Sequence, residues 1–198
     1  MSYERLLKLN KTYFTHHDVA QALGIKSSSA EVWCSRYVQK GLLTRLKRDL
    51  YVKTESLEHM SQRDLFGIAN ILQVPSYISL MTALSYYGIT TQLQRDFFEC
   101  ISVKRTRSFQ FASLSFKYMR IKPELYGGFV KKEGFFVALP EKAILDCFYF
   151  ASMGRYPLDI HSLNLTKADD KSLAKLTKMY PQKTIEFFER HYAAIRKA

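Results

Sequence analysis

The sequence predicts an α+β protein with packed cores and one or two domains, and three observations lead to this prediction. Segments with apolar residues at helical spacing are mixed with short runs rich in Phe, Tyr, Ile and Val that have the length of strands. A hydrophobic content of 47% indicates packed cores. The 198 residues suffice for one medium domain, or for a small domain and a medium one.

The composition argues against several classes of protein. No apolar run approaches the roughly 18 to 20 residues of a membrane span, and the N-terminal MSYERLLKLNK lacks the apolar core of a signal peptide. Cys34, Cys100 and Cys147 are far apart in the sequence, so neither a disulfide framework nor a CxxC metal site is indicated. We therefore expect a reduced, soluble, cytoplasmic protein without a membrane partner and without a cofactor.

The positive charge is densest near the N-terminus. The formal net charge is +12; residues 1–53 hold ten Lys and Arg against four Asp and Glu, and residues 54–198 hold twenty against fourteen. Each part therefore carries +6, although the first part is much the shorter. Clustered positive charge is typical of nucleic-acid-binding proteins, and an anionic membrane or an acidic protein would attract it too.

The N-terminal segment predicts three helices. Residues 2–10, SYERLLKLN, have the leucine spacing of an amphipathic helix. The capping pattern from Thr15 to Asp18 opens a second helix, which Gly24 is placed to end in a left-handed conformation. Residues 27–40 predict a third helix, for which the serines at its start offer N-caps.

The third predicted helix has two different faces when it is rotated by about 100° per residue. One face suits a core; the other carries small residues, hydroxyls, an amide and an arginine, with Trp33 and Lys40 at its margins. Small side chains let a helix approach base edges in the major groove, although an ordinary solvated face has a similar composition. The core face holds Ala30, Cys34, Tyr37, Val38 and Gly41, and the outer face holds Ser28, Ser29, Val32, Ser35, Arg36 and Gln39.

A β-hairpin is predicted directly after this helix. The runs Leu42–Leu46 and Leu50–Val52 have strand character and flank Lys47, Arg48 and Asp49, whose last member tolerates a left-handed turn. A solvated turn needs only polarity, so two cations at its tip indicate contact with an anion. The order helix, helix, turn, helix and two-stranded wing predicts a winged helix-turn-helix over residues 1–53.

These features together predict that residues 1–53 bind double-stranded DNA. The outer helix face would enter the major groove, where Arg36 either reads guanine or holds a phosphate. The hairpin cations would contact the backbone or the minor groove. The predicted DNA-binding residues are Lys26, Ser28, Ser29, Val32, Arg36, Lys40, Arg45, Lys47 and Arg48.

The adjacent histidines His16 and His17 raise the question of a metal site, and we expect none. Neighbouring residues on a helix point about 100° apart. No further Cys or His ligand lies nearby in the sequence. Exposed histidines in a capping turn are the simpler interpretation.

Residues 54–198 predict a larger mixed α+β domain. After a connector at 54–56, a helix is expected over 57–72, followed by a helix that Ser79 caps and Gly88 ends. Further strands are predicted at 97–103, within 108–121 and before Pro140, and further helices at 140–150, 169–179 and 182–195.

Nothing in this larger domain predicts catalysis, and we expect that the protein is not an enzyme. The phosphate-loop, nucleophile-elbow and zinc-protease motifs do not occur in the sequence. Glu141 and Asp146 lie five residues apart on one predicted helix and therefore diverge. Cys100 and Cys147 lie in apolar runs, which is typical of inert core thiols.

A second set of cations lies between residues 104 and 122. These side chains are either solvated charges that protect a sheet edge, the simpler interpretation, or a second positive face for DNA or an acidic protein. The set comprises Lys104, Arg105, Arg107, Lys117, Arg120 and Lys122.

Three segments of the chain form a recognisable set: GLLTRLKRDLYV at 41–52, PSYISLMTALSYYGI at 75–89 and VALPEKAILD at 137–146. Together they resemble the AbiE-type (abortive infection) antitoxins of bacterial type IV toxin–antitoxin systems. The turn of the wing departs from the family, which often has Arg-Gly where this chain has Arg48-Asp49. We interpret the Pro-Ser-Tyr residues and the Glu-Lys-Ala residues of the second and third segments as structural, because proline, a capping serine and buried alanine fit element boundaries.

The resemblance implies an autorepressor that binds inverted repeats in its own promoter, two copies on two half-sites, with the larger domain aiding cooperative binding. It also implies that the C-terminal domain counters a co-encoded nucleotidyltransferase-like toxin, with or without a stable complex. Two alternatives remain open. One is a stand-alone regulator whose C-terminal domain senses a ligand or dimerises. The other is a nuclease built on Asp96 or Glu99 with Lys104, for which the spacing is not diagnostic.

Overall fold

A computed structural model describes Leu9 and residues 11–195 of the chain, with side chains as far as Tyr192. The helix expected over residues 2–10 lies, apart from Leu9, outside the described residues. The chain divides into two compact units between Ile68 and Ala69, whereas the sequence pattern places the boundary after Lys53. None of the described helices has the length and apolar character needed to cross a membrane.

Two of the three helices predicted for the N-terminal segment lie among the described residues of the first unit. α1 (His16–Leu23) begins in a capping box, because the Thr15 hydroxyl accepts from the Asp18 N–H and the Asp18 carboxylate accepts from the Thr15 N–H. Gly24 ends α1 with φ 66°, as predicted. The serine N-cap predicted for α2 (Ser27–Gln39) is wrong: the N-cap is Lys26 and makes no side-chain hydrogen bond.

The predicted hairpin is confirmed as β1 (Leu43–Lys47) and β2 (Leu50–Lys53). Asp49 takes the left-handed conformation in the turn, with φ 54°. Phe14 and Tyr51 exchange two backbone hydrogen bonds of 2.9 Å, so the segment before α1 pairs with the hairpin. The core beneath these elements consists of Phe14, Val19, Leu23, Ala30, Trp33, Cys34, Leu43 and Tyr51.

The prediction of a single helix over residues 57–72 is wrong. A 3₁₀ segment (Thr54–His59) is followed by extended backbone at Met60, and α3 (Gln62–Leu72) starts afresh. The Ser61 hydroxyl accepts from the Asp64 N–H at 3.2 Å and donates to the Asp64 carboxylate at 2.6 Å. This capping pattern is visible in the sequence and explains why two helical segments form in place of one.

The second unit is built on a mixed six-stranded sheet. Its strands are β3 (Tyr77–Ile78), β4 (Phe97–Ser102), β5 (Arg107–Phe111), β6 (Leu114–Arg120), β7 (Phe129–Lys132) and β8 (Phe135–Ala138). Their order in the sheet is β5-β6-β4-β3-β8-β7. The pairs β4/β6 and β3/β8 are parallel, and the other pairs are antiparallel. The sequence predicts β4, β5, β6 and β8 but not the two-residue β3 or the exposed edge strand β7, which have no apolar alternation.

Four further α-helices lie among the described residues of the second unit, and the α+β class is confirmed. The helix that starts at Pro140 is buried along most of its length, and it packs against the other three. Pro140 occupies its first turn as predicted, where its missing N–H leaves no hydrogen bond unmade. The helices are α4 (Leu80–Tyr86), α5 (Pro140–Ser152), α6 (Asp170–Thr177) and α7 (Gln182–Ile195).

Candidate nucleic-acid interface

The outer face of α2 is open to solvent, as the helical rotation predicts. Val32 is 59% exposed at the middle of this face, although it is apolar. Ala30 and Cys34 are fully buried on the other side of the helix. The exposed residues of the face are Ser28, Ser29, Val32, Ser35, Arg36 and Gln39, and Lys26 and Lys40 are exposed at the helix ends.

Two assignments on this helix need correction. Trp33, expected at the margin of the outer face, is buried and stacks on Tyr37 with ring centroids 3.8 Å apart. It lies three residues after Ala30 and four before Tyr37, which places it on the core stripe of a helix. Gly41, expected on the core face, lies beyond the helix end with φ 72° and is exposed.

The hairpin cations are not equally accessible. Arg45 and Arg48 are exposed, whereas Lys47 is half-buried. The strand register shifts between Arg45 and Lys47, and Leu46, which lies in this irregularity, is buried in the core. The Arg45 Nε donates to the Lys47 carbonyl oxygen at 3.4 Å, which restrains the Arg45 side chain. Arg48 is therefore the most open of the three predicted contacts.

The turn of the hairpin is attached to the start of α1. The Asp49 carboxylate accepts a hydrogen bond of 2.9 Å from the His16 N–H and also contacts the His16 Nδ1. Burial raises the pKa of Asp49, but the hydrogen bonds and the charges of His16 and His17 outweigh it, so the pKa lies below its ordinary value. No pattern in the sequence predicts this contact, because the partners lie 33 positions apart.

His16 and His17 do find a third potential metal ligand, contrary to the reasoning from sequence spacing. Their ring centroids lie 4.1 Å apart, and ligand atoms of His16, His17 and Asp49 all lie within 4.8 Å of one another. Only the fold brings the aspartate to the histidines.

The second set of predicted cations does not form one face. β4 and β6 are parallel and end on the same side of the sheet, where the antiparallel β5 begins, so five of the cations gather there. Lys117 lies in the middle of β6, half-buried and in register with Glu99. Its distance of three residues from Arg120 places the two on opposite faces of the sheet. The five exposed cations at the sheet end are Lys104, Arg105, Arg107, Arg120 and Lys122.

A buried polar cluster joins β3 to α5 in the second unit. Asp146 accepts hydrogen bonds from Tyr77 at 3.0 Å and Ser79 at 2.8 Å, and it forms an ion pair with Lys142. Tyr180 donates to Asp146 at 3.1 Å and accepts from the Lys142 ammonium at 2.8 Å. Burial, with the Asp146 charge second, raises the pKa of Tyr77 and that of Tyr180 well above the ordinary value.

This cluster corrects the role expected for Ser79. The residue stands at the N-cap position of α4, but its hydroxyl makes no capping hydrogen bond and is directed to Asp146 instead. Two of the segments that carry the family resemblance, 75–89 and 137–146, therefore meet in one hydrogen-bonded cluster.

Three of the residues named above in connection with catalysis lie in the interior of the second unit, namely Glu99, Cys100 and Cys147. Glu99 is buried and accepts hydrogen bonds from the Met81 N–H at 3.2 Å and the Tyr156 hydroxyl at 2.7 Å. Burial raises its pKa. Cys100 and Cys147 are fully buried, and burial raises the pKa of both thiols.

No family model matches this chain, and no curated protein matches it either.

Proposed function

We propose that this protein is a DNA-binding antitoxin. Its N-terminal unit acts as a winged helix-turn-helix that represses its own operon, and its C-terminal unit counters a co-encoded nucleotidyltransferase-like toxin. It works in the cytoplasm by binding and not by catalysis.

The observation that carries the DNA-binding part is the exposed face of α2 beside an exposed basic hairpin. Ser28 and Val32 are small enough to let the helix backbone approach base edges, and an exposed valine fits the methyl group of thymine. Arg36 lies on the same face, one helical turn beyond Val32. Glu31, the one acidic residue of α2, is turned about 100° away from Val32. The centre of the face therefore offers donors and an apolar contact, and the exposed Glu31 carboxylate lies at its margin, one turn from Ser28 and Ser35.

The hairpin supplies the charge that such a helix needs. Arg45 and Arg48 are exposed, and the fixation of Asp49 to α1 holds the turn in place. Each phosphate that a cation contacts releases counterions, so affinity should fall as salt rises. Two copies on an inverted repeat would double these contacts.

The antitoxin part is supported by the resemblance and by how two of its segments fold together. The Tyr77, Ser79, Lys142 and Asp146 side chains are buried, so they shape the C-terminal unit and do not touch a partner. Contacts with a toxin, or with what the toxin acts on, then fall to the exposed surface, which includes the five cations at the sheet end.

The DNA-binding proposal is tested with the full chain and DNA from the promoter of its own gene. Lys47→Ala/Arg48→Ala should weaken binding to promoter and random DNA alike and flatten the salt dependence by about one unit of slope per lost phosphate contact. A charge-matched control is Lys171→Ala/Lys175→Ala on α6, both exposed, which should bind as the unaltered chain does. Unchanged binding of the folded hairpin variant would remove the hairpin from the interface.

The antitoxin proposal is tested by growth during expression of the neighbouring gene. The full chain and the Lys47→Ala/Arg48→Ala variant are expressed from a promoter that the protein does not control. Rescue by both shows that neutralisation is separate from DNA binding and belongs to the rest of the chain. A harmless neighbour, or a toxic one that neither protein counters, leaves a stand-alone regulator.

That second function, a regulator with a ligand-sensing C-terminal unit, is favoured by one observation. A pocket of about 220 Å³ lies beside the buried cluster, between Tyr126, Gly128, Lys142 and Tyr180. The polar ends of Lys142 and Tyr180 are both engaged with Asp146. The pocket therefore presents mainly apolar surface to a ligand, and we rank this function second.

A further inference from the structure

A cluster of three potential metal ligands joins the start of α1 to the turn of the hairpin. His16 and His17 are the first two residues of α1, and Asp49 comes from the turn between β1 and β2. Ligand atoms of the three side chains lie within 4.8 Å of one another. His17 is exposed and His16 and Asp49 are half-buried, so the cluster is open to ions from solution.

We propose that His16, His17 and Asp49 bind one divalent transition-metal ion of the Zn²⁺ class. Imidazole and carboxylate are the donors that Zn²⁺ takes in proteins, whereas Mg²⁺ and Ca²⁺ prefer oxygen donors alone. Zn²⁺ binds such atoms at about 2.0–2.2 Å, which sets neighbouring donors of a tetrahedron roughly 3.3 Å apart. The ligand atoms now lie within 4.8 Å of one another, so the side chains would rotate to reach that spacing when the ion binds. Three protein donors leave the fourth position to water.

Two contacts around the cluster hold the donors in place. The His16 N–H donates to the Asp49 Oδ1 at 2.9 Å and fixes the carboxylate. The Ser27 hydroxyl lies 3.2 Å from the His17 Nδ1 and orients that ring, so that the Nε2 is left for the metal. Hydrogen bonds of this kind fix the tautomer and direction of metal-binding histidines.

The positive end of a helix disfavours a cation, and this effect must be weighed. This repulsion is a fraction of the attraction between the metal ion and a carboxylate bound directly to it. The Asp49 carboxylate supplies the opposite charge at the cluster itself.

The position of His17 distinguishes a metal site from a simple ion pair. Contact between His16 and Asp49 by itself would attach the hairpin turn to α1, and this attachment accounts for the positions of those two side chains. It does not explain His17, whose exposed ring lies against that of His16. In a metal site His17 is a donor, whereas in an ion pair it is dispensable.

The test is titration calorimetry of the full, untagged, metal-stripped chain with ZnCl₂. We expect saturable binding of one ion per chain, with no competition from Mg²⁺ or Ca²⁺. His17→Ala should weaken Zn²⁺ binding about tenfold or more, since even the loss of an outer hydrogen-bond partner costs about 10-fold to 100-fold. Asp49→Asn should also weaken Zn²⁺ binding, because it removes the carboxylate of the site. Asparagine keeps the left-handed turn and still accepts from the His16 N–H, so the fold around the site is retained. His59→Ala, an exposed histidine elsewhere in this unit, is the matched control and should bind normally.

A second readout separates a lost donor from a lost fold. Zn²⁺ should raise the thermal unfolding temperature of the unaltered chain and of His59→Ala, but not that of His17→Ala. Without metal, the unaltered chain and His17→Ala should unfold at similar temperatures, because the ring is exposed. The inference is overturned if Zn²⁺ does not bind saturably, or if His17→Ala binds it as tightly as the unaltered chain. DNA binding is no part of this test, so its outcome is independent of the proposed function.

Discussion

Lys142 and Asp146 form an ion pair one turn apart on α5, and only 3% and 0% of their side chains are exposed. A pair so deeply buried is held by the groups around it, since removal of both charges from water costs several kcal/mol each. Tyr77, Ser79 and Tyr180 provide those groups. The first prediction concerns this pair.

Lys142→Met should lower the free energy of unfolding by about 3–5 kcal/mol, because it leaves the Asp146 carboxylate buried without a cation. In Lys142→Met/Asp146→Asn the charge is gone, and the amide oxygen still accepts from Tyr77 and Ser79. The double variant should therefore be more stable than Lys142→Met. Denaturant unfolding of the four proteins of this cycle measures the coupling; strictly additive effects would show that the pair does not act as a unit.

Glu99 should make the stability of the protein fall as pH rises. Burial raises the pKa of this carboxyl above its ordinary value of 4.5, so the folded state keeps the proton at a pH where the unfolded state has lost it. The stabilising effect is complete below 4.5 and is lost as pH rises towards the raised folded value. Glu99→Gln lacks this titration, so its stability relative to the unaltered chain should increase over that range.

Denaturant unfolding from about pH 4 to pH 8 measures this difference. Tyr156→Phe provides a second check, because the Tyr156 hydroxyl donates to Glu99 and lowers its pKa. Its loss should extend the pH range over which stability declines. A difference between Glu99→Gln and the unaltered chain that stays constant with pH would contradict the prediction.

Thr15 should contribute to stability through the capping box of α1. Thr15→Ala removes the acceptor of the Asp18 N–H and should cost about 1 kcal/mol of the free energy of unfolding. Ser28→Ala, an exposed serine in the first turn of α2, is the matched control and should change stability by less than about 0.5 kcal/mol. Equal losses of the free energy of unfolding in the two variants would mean that the capping hydrogen bond of Thr15 is not the cause.

The three cysteines should be unreactive in the folded protein. Burial raises the pKa of Cys34 to about 12, with the nearby Asp49 charge adding to it, and burial also raises the pKa of Cys100 and that of Cys147. The thiolate is the form that attacks a thiol reagent, and a raised pKa makes it scarce at neutral pH. A disulfide reagent at neutral pH should modify no thiol quickly in the native chain and three per chain in denaturant. Rapid modification of one thiol in the native chain would contradict this prediction and would show that the core opens.

Arg36 should affect discrimination between DNA sequences if it reads a base. Arg36→Ala would then reduce the preference for promoter over random DNA by about 1–3 kcal/mol, because a bidentate contact to guanine is lost. Competition binding with both DNAs measures the preference, and Lys175→Ala serves as a control of equal charge. An equal loss on both DNAs would make Arg36 a phosphate contact.

Much of the local structure can be read from the sequence, because it depends on neighbouring residues. Thr15 and Asp18 form a capping box, Gly24 ends α1, and Asp49 turns the hairpin, each through its own backbone preference. The exposed face of α2 follows from helical periodicity, and β4 follows from its apolar run. Trp33 follows the same periodicity, because its spacing from Ala30 and Tyr37 places it on the buried stripe of the helix.

The tertiary structure alone decided which distant residues meet. Ser79 fits a helix cap by sequence, but in the folded chain its hydroxyl bonds to Asp146, 67 positions away. Asp49 fits a turn by sequence, but the fold also places it against His16 and His17. The physical reason is the same in both cases: local pattern fixes the conformation of the backbone, whereas the partner of a polar side chain depends on which segments the hydrophobic core packs together.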